Sequence, residues 1–128
     1  MQQASRGLSS VFVLVDDAQP SKILGFYALS ASHIGAEQLG AAERKKLPRY
    51  PVPCFRMGRL APSMESRGHG VGALLVGLAV DRCLKARRHV GAYALVVDAK
   101  NESARAFYQR YGFTTCADSP MTLYLPLG

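Results

Sequence analysis

The stretch that decides the fold is Arg67–Gly72, RGHGVG, in which three glycines stand at alternate positions directly before the apolar segment ALLVGLAVDRCL. Glycine allows a backbone to adopt positive φ angles and to approach a ligand closely. A helix that begins after such a turn presents unpaired backbone N–H groups, which attract phosphate. The stretch therefore predicts either a phosphate-binding loop at a helix N-terminus or a tight helix-entry turn without a ligand.

The spacing of the glycines separates three kinds of phosphate-binding loop. A Walker A loop ends in Gly-Lys-Ser/Thr, whereas Gly72 is followed by Ala73 and Leu74. A dinucleotide-binding fingerprint has the spacing G-x-G-x-x-G at the start of a βαβ unit, whereas this stretch reads G-x-G-x-G in the middle of the chain. A third type, R/Q-x-x-G-x-G/A, holds a pyrophosphate at a helix N-terminus, and Arg67, Gly70 and Gly72 fit it position by position.

Hydrophobic periodicity on both sides of the loop predicts an α/β chain. Helical spacing of apolar residues predicts a helix from about Val71 to Arg88, and a second helix begins near Asn101 and stops at Gly112. Gly35–Lys46 is helix-permissive, so the predicted order is β-β-(α)-β-α-β-α-β-β. Short apolar runs bounded by turn residues predict the strands, namely Val11–Val15, Ile23–Ser30, Val52–Ala61, Tyr93–Val97, Phe113–Cys116 and Met121–Leu125.

Length and composition indicate one soluble domain over residues 1–128. No apolar run approaches the ~20 residues of a membrane span, and the N-terminus MQQASRGLSS lacks the apolar region of a signal peptide. We therefore expect a cytoplasmic protein without a membrane partner. Cys54, Cys83 and Cys116 form no CxxC pair and predict buried thiols rather than a metal site or a disulfide. The net charge of +7 favours a polyanionic partner.

A second motif follows the glycine loop at a distance of about 30 residues, in the segment Asn101–Phe113, NESARAFYQRYGF. Its pattern N-x-x-A-x-x-F-Y-x-x-x-G-F, combined with the loop and the strand order, resembles the GNAT family of acetyl-CoA-dependent N-acetyltransferases. The resemblance implies the GNAT fold, a central mixed and mostly antiparallel twisted sheet flanked by helices. It also implies acetyl-CoA as the co-substrate, with no metal.

A narrower resemblance covers nearly all of the chain. The segments LPRYPVP at 47–53, GRLA at 58–61, FY at 107–108 and LYLPL at 123–127 are similar to the GNAT toxins of bacterial toxin–antitoxin modules. This implies acetylation of the α-amino group of aminoacyl-tRNA, a block of translation, and a ribbon-helix-helix antitoxin as partner. Toxins of this type carry an upstream segment with a first strand and helices, and here Pro62-Ser63 stands where they have Val-Asp.

The GNAT resemblance assigns roles to the residues of both motifs. The loop binds the pyrophosphate of coenzyme A, the strand before it pairs its backbone with the pantetheine arm, and the second helix flanks the thioester. Tyr108 is the expected general acid, because a phenol with pKa ≈ 10 is protonated at neutral pH; the alternative is the buried face of an amphipathic helix. We expect His69 to face solvent. The expected cofactor-binding residues are Leu60, Ala61, Arg67, Gly68, His69, Gly70, Val71, Gly72, Asn101, Ala104 and Phe107.

Two groups of basic residues are candidates for tRNA phosphates, with a solvated basic face as the alternative. The first is Arg44, Lys45, Lys46 and Arg49, and the second, on the first long helix, is Arg82, Lys85, Arg87 and Arg88. The residues that we expect to contact tRNA are Arg44, Lys45, Lys46, Arg49, Arg87 and Arg88.

The sequence contains no obvious general base. An α-amino group has a pKa near 7.7–8.0, and esterification to tRNA lowers this value further, so an aminoacyl-tRNA amine needs no strong base. We expect Glu65, Asp98 and Glu102 to be surface or capping groups. Two other functions stay open: a GNAT enzyme that acetylates a protein or a small amine, and a truncated GNAT domain that binds acetyl-CoA or a partner without catalysis. A homodimer is also expected.

Overall fold

The structure, a computed structural model, describes residues 2–6, 9–47, 51–63, 68 and 70–128. Its strands and helices confirm the predicted α/β class. Their bounds are β1 Gln2–Arg6, β2 Ser9–Val15, β3 Ile23–Ile34, a 3-10 turn Ala36–Gln38, α1 Ala41–Lys46, β4 Val52–Pro62, α2 Val71–Val90, β5 Ala94–Asp98, α3 Glu102–Arg110, β6 Thr114–Thr115 and β7 Thr122–Pro126.

The seven strands form one sheet in the order β1-β2-β3-β4-β5-β7-β6. Among the described residues, β4 and β5 pair in parallel and the other neighbours pair antiparallel. The strands β2 and β3, which follow each other in sequence, form an antiparallel hairpin. The strand β1 was not predicted, because its sequence QQASR has no apolar alternation. It lies antiparallel to β2 at the edge of the sheet.

The helices α2 and α3 lie on one face of the sheet, whereas the 3-10 turn lies on the other. Leu75 of α2 and Tyr108 of α3 belong to one apolar cluster together with Tyr27 of β3. Leu39, which follows the 3-10 turn, belongs to a second cluster on the opposite face. Because both faces are covered, Ala94–Val97 of β5 are fully buried, as expected for a central strand of a parallel pair.

Glycine and asparagine define the helix ends as the sequence predicted. Helix α2 begins after Gly70 and ends at Gly91, which have left-handed φ angles of 77° and 63°. The Asn101 side chain accepts a hydrogen bond of 2.8 Å from the Ala104 N–H and so caps α3. Gly112, with φ of 93°, follows the last turn of this helix.

One irregularity in β4 creates the space for a site. Ala28 of β3 pairs with Arg59, and the next pair is Leu29 with Met57, so Gly58 is an extra residue in β4. A bulge of this kind bends the strand and interrupts its ladder. The parallel ladder with β5 ends at Met57, whereas the ladder with β3 continues to Pro62. The two parallel strands therefore separate beyond the bulge and leave a V-shaped opening.

Candidate active site

A cleft of about 260 Å³ occupies the opening between β4 and β5. Residues 57–61 of β4 line one wall, and Asp98, Lys100, Ala104 and Tyr108 line the other. The cleft is therefore built by β4, by the end of β5 and by the first turns of α3. It includes Leu60, Ala61, Ala104 and Tyr108, which the sequence had assigned to the site.

The edge of β4 beyond Met57 can bind an extended ligand by its backbone. In a strand, successive N–H and C=O groups point alternately to its two neighbours. The β3-directed groups of residues 59–62 are in the ladder, but the described β5 ladder does not extend past Met57. The outward backbone groups near Leu60 and Ala61 consequently face the cleft. An arm that carries amide groups, such as pantetheine, matches this edge.

The glycine loop forms the start of α2 at one end of this edge. Gly68 and Gly70 have φ angles of 82° and 77°, which other residues rarely adopt. The first helical bond runs from the Leu74 N–H to the Gly70 carbonyl at 3.1 Å. The three preceding N–H groups, from Val71 to Ala73, therefore have no partner within the helix and are available to an anion. Arg67 and His69 lie outside the described residues.

Gly72 lies where α2 meets α3 and the end of β4. A Cβ atom at this position would lie 3.4 Å from Cζ of Phe107 and 3.8 Å from Cγ of Pro62, which are ordinary van der Waals distances. The packing at this position therefore tolerates a small side chain. Phe107 is half-buried and contacts Tyr111 at a ring-centroid distance of 5.0 Å.

Tyr108 has the properties that a proton donor requires. It is buried in α3, and its ring packs edge-on against Phe107 at 5.3 Å and against Phe113 at 5.4 Å. Burial raises the pKa of the Tyr108 phenol, because desolvation disfavours the phenolate. The hydroxyl therefore keeps its proton at neutral pH and is available as a proton donor in the cleft.

Asp98 is part of the cleft wall, although the sequence suggested a surface or capping group. Its carboxylate forms an ion pair with Nη1 of Arg56 and accepts a hydrogen bond of 2.9 Å from the Thr122 hydroxyl. Nε of Arg56 also donates to Oγ of Ser32 at 3.4 Å. A carboxylate directly after a buried strand is the sequence signal that could have identified this residue. These side-chain contacts thus connect four strands, β3, β4, β5 and β7, where the cleft begins.

Arg59 and Lys100 are cleft residues that the list of expected site residues did not contain. Both are exposed and line the same cavity as Tyr108. Their positive charges favour an anionic ligand such as a nucleotide-linked thioester. Asn101, by contrast, uses its side-chain oxygen to cap α3.

The described basic candidates for tRNA contacts on α2 differ in their exposure and in the groups that they already contact. Arg88 is exposed, whereas Arg87 is half-buried and donates a hydrogen bond to the Leu127 carbonyl. Arg82 lies 3.9 Å from the centre of the Phe12 ring. Lys85 forms a surface ion pair with Asp81 at 2.9 Å. Arg87 therefore fixes the C-terminal end of the chain, which is a role that its position in a basic run did not predict.

The other basic cluster belongs to α1, which the sheet holds through Tyr124. The Tyr124 hydroxyl donates to Oε1 of Glu43 at 3.3 Å and accepts from the Gly40 N–H at 3.1 Å. Lys45 is exposed on this helix. Arg44 and Lys46 are helical, but their side chains are not described, and Arg49 lies outside the described residues.

Within the described ranges, no group of three His, Cys, Asp or Glu residues is arranged to hold a metal ion. Cys54, Cys83 and Cys116 are buried free thiols.

No helix in the described part of the chain is long and apolar enough to span a bilayer.

The comparison with known proteins decides the family. Residues 7–115 match the family described as an acetyltransferase (GNAT) domain. The chain belongs to the GNAT acetyltransferase family. It is an acetyl-CoA-dependent N-acetyltransferase with the GNAT fold, as the two motifs predicted.

The proteins to which this chain is similar include acetyltransferase toxins. The chain is 32% identical over 120 residues to a tRNA-acetylating toxin of Mycobacterium tuberculosis, and this covers 94% of the chain and 70% of that toxin. The structure of AtaT complexed with acetyl-methionyl-tRNAfMet matches with a TM-score of 0.87 and 30% identity, over 93% of this chain and 71% of AtaT. AtaTR bound with acetyl-CoA matches with a TM-score of 0.77 and 30% identity, over 94% and 71% of the two chains.

Proposed function

We propose that this GNAT enzyme transfers the acetyl group of acetyl-CoA to the α-amino group of aminoacyl-tRNA and so blocks translation as a toxin. The observation that carries the proposal is the cleft itself, in which the buried phenol of Tyr108 faces the open backbone edge of β4. The similarity to AtaT, which has been seen with an acetylated methionyl-tRNA, supports the choice of acceptor.

Different residues of the cleft bind the cofactor and donate the proton. Acetyl-CoA supplies an activated acetyl thioester. The N-terminus of α2, with Gly70 and Gly72 and with Arg67 of the preceding loop, binds its pyrophosphate, while Leu60 and Ala61 bind the pantetheine amides by their backbone. Tyr108 donates its proton to the sulfur that leaves. The remaining residues expected to contact the cofactor are Gly68, His69, Val71, Asn101, Ala104 and Phe107.

The charge of the chain supports a nucleic-acid acceptor. The net charge is +7, and cationic surfaces attract the phosphates of RNA at long range. Among the described candidates, Lys45 and Arg88 are exposed. Arg44, Lys46 and Arg49 extend the α1 cluster in sequence, and the hydrogen-bonded Arg87 contributes least. Charged tRNA also places the reaction in the cytoplasm.

The partners of similar toxins extend the proposal to regulation. Similar structures include AtaT bound to the C-terminus of the antitoxin AtaR and to acetyl-CoA, and the KacTA–DNA complex. By this similarity, the chain is neutralised by an antitoxin. We further propose, from the toxin resemblance alone, that the antitoxin is of the ribbon-helix-helix type, that residues 1–128 act as one acetyltransferase domain, and that the chain pairs with a second copy of itself.

The proposal is tested by offering labelled acetyl-CoA to four acceptors: charged tRNA, the same tRNA without its amino acid, a lysine-containing peptide and a small primary amine. We expect label on the charged tRNA and none on the uncharged tRNA. Transfer to the peptide or the small amine alone would assign a different acceptor. Binding of acetyl-CoA without any transfer would indicate a GNAT domain that does not catalyse acetylation.

A further inference from the structure

A second cavity of about 250 Å³ lies on the sheet face opposite α2 and α3. The 3-10 turn, β4, β7 and the β6–β7 connection surround it. Its wall is mostly polar, and we call it the polar cavity. The polar side chains that line it include His33, Glu37, Gln38, Arg56, Ser119 and Thr122.

The polar cavity and the cleft meet at one carboxylate. Asp98 lines the cleft, whereas Arg56 and Thr122 line the polar cavity. These two residues hold Asp98 from the other side, by the ion pair and by the hydrogen bond of 2.9 Å. Asp98 is therefore reached from the cleft and is held by two residues that line the polar cavity.

Asp98 has acceptor capacity that its two partners do not use. An ionised carboxylate offers about four lone-pair directions, and Arg56 and Thr122 each occupy one oxygen. The Asp98 side chain is 54% exposed, compared with 31% for Arg56. The carboxylate is thus fixed in orientation by its partners and is still open to an incoming N–H donor.

The proton balance of acetyl transfer requires such a group. As the nitrogen–carbon bond forms and the carbon–sulfur bond breaks, the nitrogen releases one proton and the sulfur takes one. Tyr108 is the donor for the sulfur. Among the described residues that line the cleft, Asp98 is the carboxylate that can receive the proton from the nitrogen.

We propose that the polar cavity takes the aminoacyl end of charged tRNA and that Asp98 accepts the proton released by the α-amino nitrogen, with Arg56 and Thr122 as positioning residues. The inference rests on the function proposed above. After each turnover, Asp98 returns its proton to solvent and the Tyr108 phenolate takes one back. The net change is an amine and an acetyl thioester converted into an amide and a thiol.

The size and chemistry of the polar cavity favour an aminoacyl ester over a protein acceptor. At about 250 Å³ it lies just below the usual range of small-molecule sites, which is ~300–1,000 Å³. It therefore accommodates an amino acid and its ester linkage rather than a folded surface. The hydroxyl and amide groups of Ser119, Thr122 and Gln38 can bond to the ester and the ribose hydroxyls, and Glu37 attracts an ammonium group.

The test compares Asp98→Asn with Asp81→Asn, a matched control on the exposed face of α2. The acceptors are charged tRNA and hydroxylamine, a small nucleophile that is neutral at about pH 7.5. We expect Asp98→Asn to lower kcat with charged tRNA about 100-fold and to lower the hydroxylamine rate as well, because both acceptors release a proton from nitrogen. Its affinity for acetyl-CoA should stay within about twofold of the wild type. Asp81→Asn should behave as the wild type in every assay.

The positioning role has a readout of its own. Thr122→Val removes the hydroxyl that orients Asp98, whereas Thr122→Ser keeps it. We expect the valine variant to lose about tenfold in kcat with charged tRNA at unchanged acetyl-CoA affinity, because one hydrogen bond to a charged group is worth about 1.5 kcal/mol. The serine variant should restore the rate.

The outcomes separate this inference from the proposed function. If the wild type acetylates charged tRNA and Asp98→Asn is within about threefold of it, the role of Asp98 is wrong and the proposed function stands. A parallel loss of acetyl-CoA affinity would also overturn that role, because it would indicate damage to the cleft as a whole. If the wild type does not acetylate charged tRNA, both proposals fail.

Discussion

Two glycines of the sheet provide a matched pair of substitutions, because the same added methyl group meets opposite surroundings. At Gly25 of β3, a Cβ would lie 2.8 Å from Cδ1 of Leu75, 2.9 Å from the Ala61 carbonyl oxygen and 3.1 Å from Cα of Pro62. At Gly58 it would have no atom within 4 Å. Carbon atoms in contact normally stand about 3.5–4.0 Å apart. The first change therefore forces α2 or β4 to move, and the second does not.

The magnitudes follow from these distances. Overpacking of a buried site costs about 1–3 kcal/mol, and for a domain of this size each kcal/mol lowers Tm by about 4 °C. We expect Gly25→Ala to melt about 4–12 °C below the wild type. Gly58→Ala should keep its Tm or gain slightly, since an alanine restricts the unfolded chain. Gly58 lines the cleft, so the KM of the Gly58→Ala enzyme for acetyl-CoA should rise about fivefold. This rise corresponds to the loss of about 1 kcal/mol of contact with the backbone.

Thermal unfolding and steady-state kinetics with a small amine acceptor measure both quantities. If Gly58→Ala melts as low as Gly25→Ala, the bulge is not open and the geometry of β4 is wrong. If Gly58→Ala has a normal Tm and a normal KM, the opening beyond the bulge is not where acetyl-CoA binds.

Three further predictions test the helix cap, the basic surface and the buried thiols. Asn101→Ala should lower the free energy of unfolding in urea by about 1 kcal/mol, and Asn101→Asp, which keeps a capping oxygen, should not. The double change Lys45→Ala and Arg88→Ala should reduce the slope of log kcat/KM for charged tRNA against log salt by about 1–2; an unchanged slope would remove both residues from the tRNA surface. Burial raises the pKa of the Cys83 thiol from its ordinary value of 9.0 to about 12. The folded state thus holds a proton that the unfolded state releases, so stability is fully present below pH 9 and falls between about pH 9 and 12. Cys83→Ala should show a smaller fall between pH 8 and pH 11 in urea unfolding, and an equal fall would contradict the burial argument.

Local sequence rules predicted the helix boundaries well, because the forces at helix ends are local. The cap at Asn101 and the stop at Gly112 depend on side-chain oxygen chemistry and on left-handed φ angles that are readable in one segment. The glycine loop was readable for the same reason. Strand β1 was missed because a polar edge strand is stabilised by its neighbour β2 and not by its own pattern.

The wall of the cleft could be predicted only in part, because it arises from long-range register. Gly58 is a bulge because β3 and β4 pair on both sides of it, and only the glycine within a strand pattern hinted at this. Asp98 becomes a cleft residue through Arg56 of β4 and Thr122 of β7, which are 42 and 24 residues away in sequence. The hydrogen bond from Arg87 to the Leu127 carbonyl could not be predicted from the basic run, because this partner lies at the other end of the chain.

The measurement that tests the central claim most directly is a single-turnover transfer of labelled acetyl from bound acetyl-CoA to charged tRNA, with wild type and Tyr108→Phe compared. The phenylalanine keeps the ring contacts of Tyr108 and removes only the hydroxyl group. We expect label on the α-amino nitrogen of the esterified amino acid. The transfer rate should be about 10²–10⁴-fold lower for Tyr108→Phe than for the wild type, and the two proteins should bind acetyl-CoA equally. Equal rates in the two proteins, or bound acetyl-CoA that never labels charged tRNA, would contradict it.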